Sequence, residues 1–387
     1  MRAAGLALLL ICRTAAASTF DLSVDPRLEL LGIVQRLAGY GQPSETPDSY
    51  AREVDEKFGR FKNHPAVKLY SESYRRKGHE GFGIILMYYT PPPALTLADP
   101  SVSPPYLDSE QDQALMQRFL WELRDLSEVS GFPRFFSDHK ALYDEIAAEA
   151  RKEIGPVDPV ARVESYLGIG LEVRCHYFLD PLYRNEYSSS FIVPYPDPRA
   201  TPHAVTRPFE VYNLARYDLN PKGKDGRHTL FGPNAGFLWQ ELLFVFIDPS
   251  FYYFEAANVP DTKAFYGPEV AKCRTNDANC AKAYLVAALV ARLSKAAYGE
   301  TMKGPYGPAV KTDYVDALAR RLEDYERQRD KYPTLWSFYP RLFSVYHELA
   351  FPGTPELALK LPPAGPLRKA TDFFGPRFRE SVGEPAR

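Results

Sequence analysis

A chain of 387 residues with a net charge of −2, 45% hydrophobic and 25% charged residues has ordinary globular composition, which excludes global disorder. The near-balanced charge leaves no basic footprint for nucleic acid or anionic lipid. The length allows two domains or one large one, and 14% aromatics with 35 prolines point to a Tyr/Phe-rich core with rigidly turned connections.

Residues 1–18, MRAAGLALLLICRTAAAS, pair Arg2 with an apolar run and the small residues Ala15-Ala16-Ala17. This is the pattern of a secretory signal peptide cleaved near Ala17/Ser18, too short to span a bilayer at ~20 residues. A secreted or periplasmic protein is expected, with no membrane span in the remainder and a charge of about −4 once Arg2 and Arg13 are removed.

The rest reads as one domain over 19–350, in three parts. The first, 19–167, is helical. Asp25 and Pro26 open a helix whose apolar face runs from Leu28 to Leu37 and which Gly39 closes. Further helices are expected from Thr46-Pro47 to Phe61, from His64 to Arg76, and, after a proline-rich loop (91–105), over 108–129 and 138–154. Residues 168–232 hold strands at Gly170–Leu179, Ser189–Tyr195 and Arg207–Tyr217, short β-branched or aromatic runs divided by Pro, Asn, Asp and Gly. Helices return in 233–350, over 234–247, 279–298, 312–330 and 334–349, before a loosely packed Pro/Gly-rich tail at 351–387. The predicted class is α+β: mainly helical, with a small mixed or antiparallel sheet before the helix discussed next.

Three cysteines lie beyond the signal segment: Cys175, Cys273 and Cys280. In an oxidising compartment, a bridge between Cys273 and Cys280 would staple the loop RTNDAN just before a helix. Their spacing has no matching Cys/His pair for zinc, and Cys175 reads as a small buried residue.

The most informative stretch is FLWQELLFVFIDP, 237–249. As a helix it is apolar nearly all round, so it belongs in the centre of a domain. Gln240 and Glu241 nevertheless sit in its middle, and a buried carboxylate must find partners or protonate. In the zinc-peptidase helix H-E-x-x-H, two His at i and i+4 hold the ion and the Glu is the general base. On that register Gln240 and Phe244 fall at the two His and Glu241 at the base.

The chain resembles an uncharacterised bacterial family of exported, zincin-like proteins whose helix reads H-E-F-S-H-S-F-V-N-P. Within QELLFVFIDP (240–249), Glu241, Phe246 and Pro249 match, and Ile247 and Asp248 are conservative replacements. The resemblance extends to VDPRLELLGIVQRLAGY (24–40), FGRFKNHPAVKL (58–69) and YLVAALVARL (284–293). It implies a zincin-like fold of gluzincin metallopeptidase ancestry with a degenerate site. Phe244 offers no lone pair, Gln240 is a poor zinc ligand, and Ala281, Ala283, Ala287 and Ala288 supply no third, acidic ligand in the downstream helix. No bound metal, no cofactor and no catalytic residue is expected, and the leading expectation is an inactive pseudopeptidase. Its vestigial cleft would bind an extended peptide or a protein along an edge strand, with 207–217 the candidate edge, or Gln240 and Glu241 would be purely structural.

Two other readings stand beside it. An active hydrolase would pair Glu241 with a second group such as His347-Glu348 or His228, and needs an open cleft. A carbohydrate-binding or assembly module would expose the aromatic runs FYYF (251–254) and FYPRLF (338–343). His79-Glu80 runs into Gly81 and Gly83, a poor helix, and His64, His139, His176, His203 and His228 are scattered with no partner at metal spacing.

Overall fold

The structure, a computed structural model, describes residues 18–362 except 41–48, 101–103, 105–106, 108, 170–173, 183–188, 195–208, 217–235, 272–276, 300, 302–310 and 356. The chain begins with a strand that the sequence reading missed, β1 (Thr19–Ser23). It is followed by α1 (Pro26–Leu37), α2 (Ser49–Phe58) with a 3₁₀ turn at Gly59–Phe61, α3 (Pro65–Leu86), α4 (Glu110–Val129), α5 (Phe132–Asp138), α6 (Lys140–Ile154) and α7 (Pro159–Leu167). Strands β2 (Arg174–Asp180), β3 (Ser189–Pro194) and β4 (Phe209–Arg216) come next, and then α8 (Gly236–Asn258), α9 (Thr262–Ala271), α10 (Asp277–Tyr298), α11 (Thr312–Arg327) and α12 (Leu335–Ala350). The class is α+β, mainly helical. Among the described residues no helix is long and apolar enough to cross a membrane.

Local chemistry sets most boundaries. Asp25 accepts from the Arg27 N–H at 2.8 Å with Pro26 in the first turn, as expected. Asp158 does the same for α7, accepting from Ala161 N–H at 3.0 Å, although that short helix was not foreseen. Asp261 caps α9 through Lys263 and Ala264. Two expectations are corrected here. α3 does not stop near Arg76 but runs through His79, Glu80, Gly81 and Gly83 to Leu86, because Phe82, Ile84, Ile85 and Leu86 are all buried. α8 does not stop before Pro249 but continues to Asn258. An interior proline costs about 3 kcal/mol, whereas burying each of Phe251 and Phe254, both 0% exposed, contributes roughly 1.5–3 kcal/mol.

The sheet has the order β1-β2-β4-β3. β1, β2 and β4 are mutually parallel neighbours, and β3 lies antiparallel on β4 with Ser189 opposite Leu214 and Pro194 opposite Phe209. The sheet is therefore mixed, and the proposed edge at 207–217 is wrong: β4 is an inner strand with a neighbour on each side. Parallel pairing explains why β1 was hidden. A five-residue strand abutting the signal-like segment has no hairpin partner in sequence, and it meets β2 only after the first helical layer has intervened.

Helices α1, α6 and α7 pack on β1 and β2, while α8 lies against β3 and β4 and carries α10 on its other side. α11 and α12 then close over α10, with α9 between. Buried polar bonds join the first layer. Tyr143 donates to the Tyr50 hydroxyl at 2.6 Å, and Tyr50 donates to the fully buried Glu29 carboxylate at 2.5 Å. Burial, then the Glu29 charge, raises both phenols above their ordinary range, so they remain donors at any physiological pH. The start of the tail is not loose. Leu357 and Leu359 pack on the core, and the Lys360 N–H donates to Asn258 Oδ1 at 3.0 Å.

Gly168 ends α7 with φ +72°, and a Cβ there would lie 2.1 Å from the Pro333 carbonyl oxygen at the entry to α12. Left-handed strain and backbone overlap act together in Gly168→Ala, which is expected to lose at least about 2 kcal/mol. Urea denaturation of the two proteins measures this; equal midpoints would show that α12 does not seat against that turn.

Candidate functional site

The QELLF segment lies in the N-terminal half of α8, in the layer between the sheet and α10. Gln240 is 2% exposed, and its Oε1 has no hydrogen-bond partner among the described residues. Glu241 is 8% exposed, and Leu238, Trp239, Leu242, Leu243 and Ile247 around it are buried. The Glu241 carboxylate faces β2. The wholly buried Tyr177 phenol of that strand is raised well above its usual range by burial first and by the Glu241 charge second. Tyr177 is accordingly a neutral phenol near an acid, and not a second base.

Phe244, at the place of the second histidine, has a different occupant. Lys282 of α10 is 7% exposed, and its Nζ lies 5.0 Å from the Phe244 ring centroid and 4.9 Å from that of Tyr252, two turns further along α8. An ammonium held between two ring faces is a cation–π arrangement, stronger when desolvated than at a surface. The sequence reading inspected Ala281, Ala283, Ala287 and Ala288 for a third ligand and passed over Lys282, which lies between them. The signal was a charged residue within an otherwise apolar helix, and it was as visible there as Glu241 was in α8.

The other sequence candidates separate. Glu348 is drawn to Arg321 of α11 at 2.9 Å, and its neighbour His347 stacks on Phe265 and Phe351, so this pair is engaged within the helical layer. His228 and His203 lie outside the described residues. His139 lies on Phe135 and meets Glu53 at 3.1 Å, and His176 meets Asp21 across β1 and β2 at 2.8 Å. The expectation that no histidine has a partner at metal spacing is corrected for His64, which the fold brings to Glu122 and Asp125. The aromatic runs are core: Phe251, Phe254, Phe338, Tyr339 and Phe343 are buried, and Phe254 meets Phe343 at 4.5 Å between centroids. This removes the exposed ring row that a sugar platform needs.

Cys175 is a buried cysteine of β2. Cys280, at the start of α10, is disulfide-bonded, with its partner outside the described residues, as is Cys273.

Comparison with protein-family models, with curated proteins and with solved structures finds no match to this chain. Fold and site together define a class: a mainly helical α+β protein with an ammonium, a carboxylate and a carboxamide buried around one apolar central helix.

If the Lys282 ammonium is held by the Phe244 ring, the two side chains are energetically coupled. A double-mutant cycle of Phe244→Leu and Lys282→Met in chemical denaturation is expected to give a coupling of about 0.5–2 kcal/mol. Additive single effects would show that the ring is only packing.

Proposed function

We propose that this chain is an exported, zincin-like protein that has lost its zinc ligands and acts as a pseudopeptidase, a binding or structural module and not a hydrolase. The observation that carries the reading is Lys282. A zinc-binding imidazole at position 244 would need a divalent ion beside it, and here an ammonium lies 5.0 Å from the ring that stands in that place. A second cation next to the first is opposed by Coulomb repulsion, which grows as the surroundings become less polar. Gln240 and Phe244 offer no imidazole to hold a metal that would lower the pKa of a water for Glu241, and at 8% exposure Glu241 has little access to a water.

The same burial counts against a hydrolase that uses Glu241 with another acid or a histidine, because that chemistry needs an open cleft. Glu348 is neutralised by Arg321. For peptide binding, the strand beside the central helix that pairs on one side only, among the described residues, is β3. An extended peptide would add to it through backbone bonds, which require no catalytic ion. Export through residues 1–18 and a Cys273–Cys280 bridge belong to this reading, and the bonded state of Cys280 agrees with an oxidising compartment.

The test rebuilds the ancestral site. In a Glu122→Gln background, which removes the other candidate metal group, Gln240→His with Phe244→His is expected to bind no zinc while Lys282 remains. Adding Lys282→Glu is expected to bring about one zinc per chain, by metal analysis after dialysis. Zinc on the unaltered helix would overturn the inactive reading, and a fourfold variant that stays empty would overturn the metallopeptidase ancestry.

A further inference from the structure

From the meeting of α3 and α4 we infer a second, independent site: His64, Glu122 and Asp125 form a binding site for one divalent transition-metal ion. It does not depend on the reading of the central helix. Pro65 opens α3, and His64 precedes it as the N-cap, with Nδ1 accepting from the Ala66 N–H at 3.2 Å. This fixes the ring so that Nε2 turns toward α4, where it lies 2.9 Å from Asp125 Oδ2. Glu122 and Asp125 are three residues apart on α4, which places both carboxylates on one face of that helix. One ligand atom from each of the three side chains falls within 4.8 Å of the others, the span of donors around a single ion.

The second observation is Glu122 itself. It is 8% exposed, yet its carboxylate makes no hydrogen bond or ion pair, whereas Asp125 has His64 and is half open to solvent. A largely buried carboxylate with no partner among the described residues favours a cation beside it. The two carboxyl groups and the imidazole together offer three donor atoms to one divalent ion. One ring nitrogen with two carboxylate oxygens is a donor set for zinc or manganese; magnesium and calcium favour oxygen alone. Three protein donors leave the remaining coordination positions to water. Binding through Nε2 moves the ring's single proton to Nδ1, so the Ala66 cap bond is given up as the ion enters. The ion would pin the start of α3 to the middle of α4.

Isothermal titration of the purified full chain with zinc chloride, and separately with manganese chloride, tests this. One saturable site per chain is expected for at least one of the two, with a rise of a few degrees in melting temperature when it is filled. Glu122→Gln and the surface change Asp125→Asn are each expected to weaken binding at least tenfold while keeping the metal-free melting temperature and circular dichroism. Glu241→Gln is expected to leave it unchanged. Absence of a saturable site, binding unaltered in either ligand variant, or loss of binding in Glu241→Gln would each overturn the assignment.

Discussion

An ammonium, a carboxylate and a carboxamide buried in the same apolar layer constrain everything around α8. The helix is so nearly apolar on all sides that the fold must surround it, with sheet on one side and α10 on the other. Its charged and polar atoms therefore lose water together. Lys282 meets this by lying between the Phe244 and Tyr252 rings, while burial and the Glu241 charge keep the Tyr177 phenol protonated. These contacts hold the central helix between two layers of the core.

The second acid-bearing locus has the opposite character. Around the QELLF segment, the Lys282 ammonium is held by the Phe244 and Tyr252 rings. Around Glu122, two carboxyl groups and one imidazole converge at a position where an ion could arrive from solvent past the exposed Asp125. The chain thus keeps apart a buried helix bearing an acid and a histidine–carboxylate group on α3 and α4.

Periodicity and capping residues made much of this fold legible. Asp25-Pro26, the Leu28–Leu37 face and the strands at 189–195 and 207–217 fall within a few residues of the observed elements, because their determinants are local. What was not legible depends on partners distant in sequence. β1 is a strand only because β2, some 150 residues later, lies beside it, and β4 proved to be an inner strand because order within a sheet is not written in any one strand. The extensions of α3 past Gly81 and of α8 past Pro249 reflect burial overriding propensity. In the central helix, Gln240, Glu241 and Phe244 were legible as an anomaly, but the ammonium that explains Phe244 came from another helix. His64 lies some sixty residues from Glu122, and nothing short of the α3–α4 packing joins them.

Diffraction data collected at the zinc absorption edge from crystals grown with zinc would test the central claim most directly, since anomalous scattering locates the ion without reference to activity. The account predicts no anomalous peak within coordinating distance of Glu241, and density for the Lys282 side chain between the Phe244 and Tyr252 rings. A zinc peak bound to Glu241, with Lys282 displaced from those rings, would contradict it.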